Sequence, residues 1–313
     1  MEPILLSLAG KLRRNEARRR GLIQQMAADG LDALHEADVG RLRFIDDEEE
    51  RLLAGGSGGG AVRVGDTVRK PLGPHSVAVL STLDYLAGAG FLAVPRPLDV
   101  DDDGREAYAW IEGEAGILPL GKHLLDPKVL TAVGALLKQF HDATASVELF
   151  AGAEWPEASI GPEPHEVICH GDLHPANLIF TVTGTPIAFV DLEHAGPGPR
   201  WWDLAQAAHL LVPLARDQAA RRLGFATPPD RLPRLVALLD GYGLLPEHRA
   251  AFLPWVTRRI EWHAASVQRR AAAGDQRAAL QLEEGYLASV ERDLAWLADH
   301  GPRLDHSLSA GPE

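Results

Sequence analysis

Apolar positions along this chain follow two different periods. Between residues 61 and 111 they form short runs that suit strands, whereas from residue 130 they recur at the three- and four-residue spacing of helices. The elements predicted in the first region are strands at 61–64 and 67–70, a helix at 76–87, and strands at 97–100 and 107–111. Gly65 and Asp66 form a tight-turn signal between the first two strands. The order of these elements indicates a small α+β lobe.

The second region is predicted to be mainly helical. The helices are expected at 130–143, 201–212, 231–239, 248–272 and 277–300. One β island interrupts them, with a strand at 167–169 and a hairpin of strands 178–181 and 187–190. The predicted fold class is therefore α+β, with a small β-rich lobe followed by a large, mainly helical lobe.

Composition divides the chain into three segments. Residues 1–45 are predicted to form a helical N-terminal extension, residues 46–112 the small lobe, and residues 113–313 the large lobe. The glycine-rich run 55–60 directly precedes the first predicted hairpin. Because this run opens a hairpin, we expect a loop held against something rather than a flexible linker.

Charge and cysteine content narrow the classes of protein. The net charge of -13 at pH 7 argues against a nucleic-acid partner and favours a cationic ligand over an anionic one. The single cysteine, Cys169, excludes an intrachain disulfide and suits a reducing compartment. A basic run at 13–20 follows the apolar stretch 4–9, the reverse of a secretory signal, and no apolar stretch reaches the ~20 residues of a spanning helix. We therefore expect a cytoplasmic protein without a membrane partner, and the sequence leaves its oligomeric state open.

The sequence HGDLHPAN at 170–177 carries the chemistry. It places Asp172 five residues before Asn177, and Asp191 follows Asn177 by fourteen residues. Because Asn177 precedes the first strand of the predicted hairpin and Asp191 follows the second, antiparallel pairing brings the two side by side. Two oxygen ligands at one point suit Mg²⁺. Asp172, at the tip of the preceding loop, can face the same cleft and accept a proton from a substrate hydroxyl.

HGDLHPAN resembles the catalytic loop of kinases, and in its His-Gly-Asp-x-His form it is similar to the aminoglycoside phosphotransferase and choline kinase group. The stretch 190–204, with Pro197 and Trp202, resembles the segment that follows in that family. This resemblance implies a bilobal protein-kinase-like fold that uses ATP or GTP with Mg²⁺. It also implies site roles for four residues: Asp172 as catalytic base, Asn177 and Asp191 as Mg²⁺ ligands, and Asp203 as the brace of the catalytic loop. His170 is interpreted as a structural residue that packs this loop.

The resemblance extends to the small lobe more loosely. It implies that Lys70 contacts the α and β phosphates, with the adjacent Arg69 as the alternative, and that backbone near Trp110 and Ile111 contacts the nucleotide. By position, the residues that would cover the phosphates are Gly56, Ser57, Gly58 and Gly59. Two departures stand out: the glycine run matches no phosphate-loop motif, and the predicted helix 76–87 lacks the glutamate with which kinases pair the lysine. Its one acidic residue is Asp84.

The sequence thus predicts a small-molecule kinase whose acceptor is aminoglycoside-like or otherwise cationic. Two alternatives remain: a kinase fold that binds without catalysis, and a metal hydrolase. The hydrolase would use His170, Asp172, His174, Asp191 and His194. Glu193 is either a third Mg²⁺ contact or a solvated residue. A second set of acids either forms an anionic substrate wall or occupies exposed helix faces: Glu261, Glu283, Glu284 and Asp293.

Overall fold

The computed structural model describes residues 50–53, 60–73, 76–101, 103–145, 155 and 159–310. The predicted N-terminal extension, 1–45, lies outside these residues. So do Gly56, Ser57, Gly58 and Gly59, which were predicted to cover the phosphates.

An antiparallel sheet of five strands forms the first part of the described chain. The strands are β1 (Arg51–Leu52), β2 (Val62–Val64), β3 (Thr67–Pro71), β4 (Pro97–Val100) and β5 (Arg105–Ala109), in the spatial order β1-β2-β3-β5-β4. The predicted hairpin between β2 and β3 is confirmed. In the β3-β5 pair, Lys70 lies directly opposite Glu106.

The last strand of this sheet is shifted from its predicted position. The sequence pattern predicted a strand at 107–111, but β5 begins at Arg105 and ends at Ala109. Ala109 pairs with Thr67, the first residue of β3, so β3 offers no pairing partner for the residues after Ala109. The amide of Trp110 instead donates to the carbonyl of Asp66, at 2.8 Å. The chain therefore leaves the sheet at Trp110.

Helix α1 (Ser76–Gly88) contributes one apolar face to the core. Its buried apolar residues are Ala78, Val79, Leu83 and Leu86, and their spacing is that of a single helix face. The predicted helix at 76–87 is confirmed.

Two small sheets connect the first part of the chain to the helices. β6 (Glu114–Ala115), β8 (Leu178–Phe180) and β9 (Pro186–Phe189) form one sheet, and β7 (Val167–Cys169) pairs with β10 (Gly196–Gly198) in the other. The predicted strand at 167–169 and the predicted hairpin after it are confirmed. Since β6 follows the sheet lobe and pairs with β8, the connector joins that lobe to the hairpin that carries the site.

The rest of the described chain is mainly helical. The helices are α2 (Pro127–Ala143), α3 (Trp201–Leu211), α4 (Asp217–Leu223), α5 (Arg231–Tyr242), α6 (Pro246–Arg249), α7 (Leu253–Ala272), α8 (Gln276–Glu283) and α9 (Tyr286–Ala310). Aspartates cap three of them: Asp126, Asp230 and Asp275 accept backbone N–H bonds at the starts of α2, α5 and α8. The α+β fold class is confirmed.

Two predicted helices are broken in the structure. The prediction at 248–272 becomes α6 and α7, because Pro254 lies in the first turn of α7, where proline starts a helix. The prediction at 277–300 becomes α8 and α9, separated at Gly285, whose φ of +82° interrupts the helical backbone. Within the described ranges, no helix combines the length and apolar character needed to cross a bilayer.

Candidate active site

The loop after β7 carries the predicted catalytic motif. β7 is buried and pairs with β10, so its end fixes the start of the loop. Gly171 has a φ of +79°, and a Cβ at this position would overlap the carbonyl oxygen of His194. Glycine is required here because only glycine combines this φ with so close an approach. Asp172 follows, half-buried.

Asp203, in the first turn of α3, accepts two backbone hydrogen bonds from this loop. Its carboxylate oxygens lie 2.6 Å from the amide nitrogen of His170 and 3.0 Å from that of Gly171. His141 Nε2 lies 3.1 Å from the same carboxylate, and His141 Nδ1 lies 2.8 Å from the hydroxyl of Tyr242. Burial would raise the pKa of Asp203, but His141 and the loop amides hold it below its usual value.

His170 links the loop to the hairpin. Its Nε2 lies 2.9 Å from the carbonyl oxygen of Val190, and its Nδ1 lies 3.3 Å from the amide nitrogen of Asp172. The two ring nitrogens therefore contact backbone groups of two different segments. The ring thus connects the backbone of the hairpin, at Val190, to the backbone of the loop, at Asp172.

Sequence reasoning missed two residues that hold the loop from the helical lobe. Gln206 Oε1 accepts from the amide of Leu173 at 2.9 Å, and Gln206 Nε2 lies 3.5 Å from the carboxylate of Asp172. Buried Arg259 donates to the carbonyl of Gly171 at 2.6 Å and to Gln206 Oε1 at 3.0 Å. Gln206 and Arg259 lie on different helices and outside any motif, so no local pattern signals them.

The hairpin brings Asn177 to Asp172 and Asp191. Asn177 Nδ2 donates to the backbone carbonyl of Asp172 at 2.9 Å and to its carboxylate at 3.1 Å. The amide of Val190 donates to the carbonyl of Asn177 at 2.9 Å, so Asp191 follows immediately beside it. Asp191 has a φ of +63° and is alone among the described non-glycine residues in having a positive φ. Such backbone outliers concentrate at functional sites.

Lys70 reaches this cluster from β3. Its Nζ forms a close ion pair with the carboxylate of Asp191 and lies 3.3 Å from that of Glu193. Burial would lower the pKa of Lys70, but the two carboxylates more than offset it and raise that pKa above its usual value. The structure thus joins the predicted lysine to two of the three predicted metal ligands.

A cavity of about 610 Å³ lies at this cluster. Six of the predicted residues line it: Lys70, Trp110, Ile111, Asn177, Asp191 and Glu193. The carboxylate of Asp172 accepts a hydrogen bond from Asn177, which lines this cavity. Burial would raise the pKa of Asp172, but the nearby imidazoles of His194, His170 and His174 hold it below its usual value. The Asp172 carboxyl is therefore ionised at neutral pH.

The acids around the cavity differ from what the sequence suggested. Asp84, the one acid of α1, is exposed, whereas Glu106 on β5 is buried and lines the cavity. Of the two alternatives for the second set of acids, exposed helix faces are found for Glu261, Glu283 and Glu284. Asp293 is instead buried and pairs with Arg216 at 2.8 Å. The lining residues include none of these four acids but do include Arg270.

The ligand set of the hydrolase alternative does not converge in the described part of the chain. There, one group of side chains has the spacing of a metal site: His141, Cys169 and Asp203. Two of these three are committed elsewhere, because His141 and Asp203 bond each other and Asp203 bonds the loop amides. Cys169 is buried, and burial raises the pKa of its thiol, which opposes metal binding as a thiolate. Neither group supports a hydrolase.

A small antiparallel sheet, a mainly helical lobe and a lysine facing an aspartate-asparagine-aspartate cluster define a kinase-like fold. Solved structures share it. A choline/ethanolamine kinase family protein from Mesorhizobium loti has a TM-score of 0.54 at 16% identity and covers 88% of this chain and 99% of its own. Aminoglycoside 2'-phosphotransferase-IIIa, in its GDP complex, has a TM-score of 0.51 at 15% identity, with 81% and 95% covered. At sequence identities this low, the similarity shows a shared fold and nothing further.

Sequence comparison gives the family. The model of the phosphotransferase enzyme family matches residues 149–234, which contain the predicted catalytic motif. The trifolitoxin immunity protein of Rhizobium leguminosarum bv. trifolii is 30% identical over 253 residues, covering 79% of this chain and 94% of its own. This chain belongs to the phosphotransferase enzyme family.

Proposed function

We propose that the chain transfers the γ-phosphoryl group of ATP or GTP to a hydroxyl of a small molecule, with Mg²⁺. The observation that carries this proposal is the convergence of Lys70, Asn177 and Asp191 on one cavity, with Asp172 bonded to its wall. These residues come from both lobes. Phosphoryl transfer requires positioned groups and charge neutralisation rather than covalent catalysis, and this arrangement supplies both.

The donor set fits a hard cation. Asp191 offers a carboxylate and Asn177 a carboxamide oxygen, and Glu193 adds a second carboxylate close to Lys70. Mg²⁺ prefers such oxygen ligands, and when bound it neutralises charge on the phosphate oxygens. The single ammonium of Lys70 faces the two carboxylates of Asp191 and Glu193, so these three side chains keep a net negative charge that favours a further cation. Lys70 would then contact the α and β phosphates.

Asp172 acts as the base in this proposal. The acceptor hydroxyl oxygen forms a bond to the γ-phosphorus while the bond from that phosphorus to the β-γ bridging oxygen breaks. The hydroxyl proton passes to Asp172, and the nucleoside diphosphate leaves. The hydrogen bonds from Asn177 and Gln206 orient the carboxylate, and its lowered pKa keeps it able to accept the proton.

For the acceptor we propose a toxin or antibiotic that carries a hydroxyl group. A relative at 30% identity is named for immunity to trifolitoxin, and the fold is shared with an aminoglycoside phosphotransferase. The net charge of -13 favours a cationic acceptor such as an aminoglycoside. Arg270 on the cavity wall opposes a high positive charge at that point. A panel of hydroxylated antibiotics, assayed by nucleoside diphosphate release, tests this choice.

A kinase fold that binds without catalysis is the second candidate, and the absence of a glutamate from α1 favours it. Such a protein binds nucleotide but gives no Mg²⁺-dependent release of ADP with any acceptor in the panel. Phosphorylated product detected by mass spectrometry would exclude it.

Substitution of Asp172 tests the enzymatic proposal. Asp172→Asn keeps the size of the side chain but removes the base, so we expect kcat to fall by ~10²–10⁴ while nucleotide binding is kept. Asp299→Asn, the same change on an exposed face of α9, serves as the control and should leave kcat unchanged. Full activity in the Asp172 variant would overturn the assignment.

A further inference from the structure

The lysine of this site lacks the acidic partner that protein kinases use. In those enzymes the strand lysine must pair with a glutamate on the following helix for catalysis. Here that helix is α1, which has no glutamate. Its one acid, Asp84, is exposed, whereas Lys70 lines the cavity. Another acid is needed if Lys70 is to be held toward the phosphates.

Glu106 occupies the position from which it can hold Lys70. The two residues lie directly opposite in the β3-β5 register, so their side chains share one face of the sheet and their Cβ atoms are about 4.5–5.5 Å apart. Both side chains line the same cavity. Glu106 is only 5% exposed, and acidic side chains are rarely buried to this extent unless they are paired.

Two hydroxyl groups fix the Glu106 carboxylate. Ser76, the first residue of α1, and Tyr108, on the same strand as Glu106, both donate to it in close hydrogen bonds. Burial, and then the negative charge of Glu106, raise the pKa of the Tyr108 phenol. A carboxylate has about four acceptor positions, so two donors leave capacity for an ammonium group. The Ser76 bond also ties the start of α1 to this carboxylate.

The present partners of Lys70 are the proposed metal ligands. Lys70 pairs with Asp191 and Glu193. A divalent cation on the same carboxylates would repel the ammonium group, because both cations would compete for the same oxygens. Lys70 would then need a different anion close to the phosphates, and the described cavity wall offers Glu106 within reach.

We propose that Glu106, which lies on strand β5, is the positioning residue of Lys70 in the nucleotide-bound enzyme. It plays the part that the helix glutamate plays in protein kinases. The proposal rests on the function proposed above. It explains why α1 carries no glutamate. It also explains why a buried carboxylate that accepts from two hydroxyl groups lies directly opposite Lys70 in the β3-β5 pair.

Calorimetric titration of the full chain tests the proposal without an acceptor. The probes are ADP with Mg²⁺, which carries both phosphates that Lys70 would contact, and adenosine, which carries none. Glu106→Gln removes the charge and keeps one of the two oxygens that accept from Ser76 and Tyr108, and its NH2 group can donate to the other hydroxyl. We expect ADP to bind this variant about tenfold more weakly and adenosine to bind it as tightly as the wild type. Asp84→Asn, the matched change on α1, should affect neither probe.

A double-mutant cycle with Lys70→Ala separates positioning from structural support. If Glu106 acts through Lys70, adding Glu106→Gln to Lys70→Ala causes no further loss of ADP affinity. A further loss as large as in the wild-type background, or equal weakening of ADP and adenosine, would show a structural role and overturn the proposal. Unchanged ADP affinity in Glu106→Gln would overturn it as well.

The experiment distinguishes a failure of the proposed function from a failure of the role proposed for Glu106. If wild-type protein binds no nucleotide, the proposed function fails and the inference fails with it. If the wild type binds ADP but the cycle shows no coupling, the inference alone fails. Circular dichroism checks the fold of each variant. Should Glu106→Gln not fold, Glu106→Asp, which keeps the charge on a shorter side chain, replaces it, and its smaller loss of ADP affinity must likewise disappear in the Lys70→Ala background.

Discussion

At Gly171 the backbone conformation decides the geometry of the predicted catalytic loop. Its φ of +79° and the nearby carbonyl of His194 both exclude a side chain. Gly274 has a similar φ, +94°, but no atom within 4 Å of where its Cβ would be. The two positions therefore separate the cost of a positive φ from the cost of the clash.

We expect Gly171→Ala to lower the free energy of unfolding by ~3 kcal/mol or more, and Gly274→Ala by only ~1 kcal/mol. The Gly171 variant should also lose turnover, because displacing the loop moves Asp172. Urea denaturation of both variants measures the difference. Equal losses at the two positions would mean that the His194 contact is unimportant.

His263, half-buried near Asp172, Arg259 and Arg270, gives a pH dependence of stability. Burial and then Arg259 lower its pKa to about 3. Between that value and the usual 6.5 the unfolded chain binds a proton that the native protein does not, so stability falls as pH decreases. Because of this residue, we expect the free energy of unfolding to fall by on the order of 1–2 kcal/mol when the pH is lowered from 7 to 5.

The matched variant for this prediction is His263→Gln, which has no titratable group. Its stability should fall less than that of the wild type over the same pH range, and the two curves should separate below about pH 6.5. Urea melts at half-unit pH steps measure both. Parallel curves would show that His263 titrates alike in the native and unfolded chains.

Close contact between α2 and α5 organises the helical lobe at the scale of elements. A Cβ on Gly134 of α2 would lie 2.7 Å from the amide nitrogen of Tyr242, and one on Gly241 of α5 would overlap the carbonyl of Thr131. The last turn of α2 contains His141, which bonds both Tyr242 and Asp203. The contact between these two helices therefore supports the brace of the catalytic loop.

Gly134→Ala should destabilise the protein by ~2–4 kcal/mol, because backbone on the facing helix must move. Gly88→Ala, at the exposed end of α1, meets nothing within 4 Å and should stabilise the protein by ~0.5 kcal/mol through helix propensity. Thermal melts of the two variants give opposite shifts if this is right. A stabilised Gly134 variant would contradict the observed packing.

The prediction of elements from the pattern was accurate where the determinants are local. The strand at 167–169, the site hairpin and α1 follow from apolar spacing and turn residues within a few positions. The errors have non-local or backbone causes. β5 ends where its partner β3 begins, and that pairing joins residues about forty positions apart. Gly285 breaks the last predicted helix through its conformation, which apolar periodicity does not register.

At the scale of the whole molecule, the proposed nucleotide connects the two lobes, since Lys70 comes from the sheet and Asp191 from the hairpin of the helical lobe. ATP with Mg²⁺ at a hundred times its Kd should stabilise the protein by about 2.7 kcal/mol, and removal of Mg²⁺ by EDTA should abolish most of this. Differential scanning fluorimetry measures the shift in Tm.

Two variants sharpen that experiment. Asp191→Asn should lose the Mg²⁺-dependent part of the shift, because it loses a proposed metal ligand. Asp172→Asn should keep it, because the proposed base does not bind the nucleotide. A Tm shift of the same size with and without EDTA would argue against a Mg²⁺-dependent site.

The sequence by itself determined the family resemblance, the two-part α+β organisation, and the pairing of Asn177 with Asp191. Each of these follows from local patterns of spacing, turn residues and hairpin pairing, which need no knowledge of how distant elements pack. Only the tertiary structure decided which side chains meet them. Lys70 pairs with Asp191 across 121 positions, and Arg259 reaches Gly171 across 88. Glu106 shares the cavity with Lys70 only because β3 and β5 are neighbours. Such contacts depend on how whole elements pack, and no local pattern encodes them.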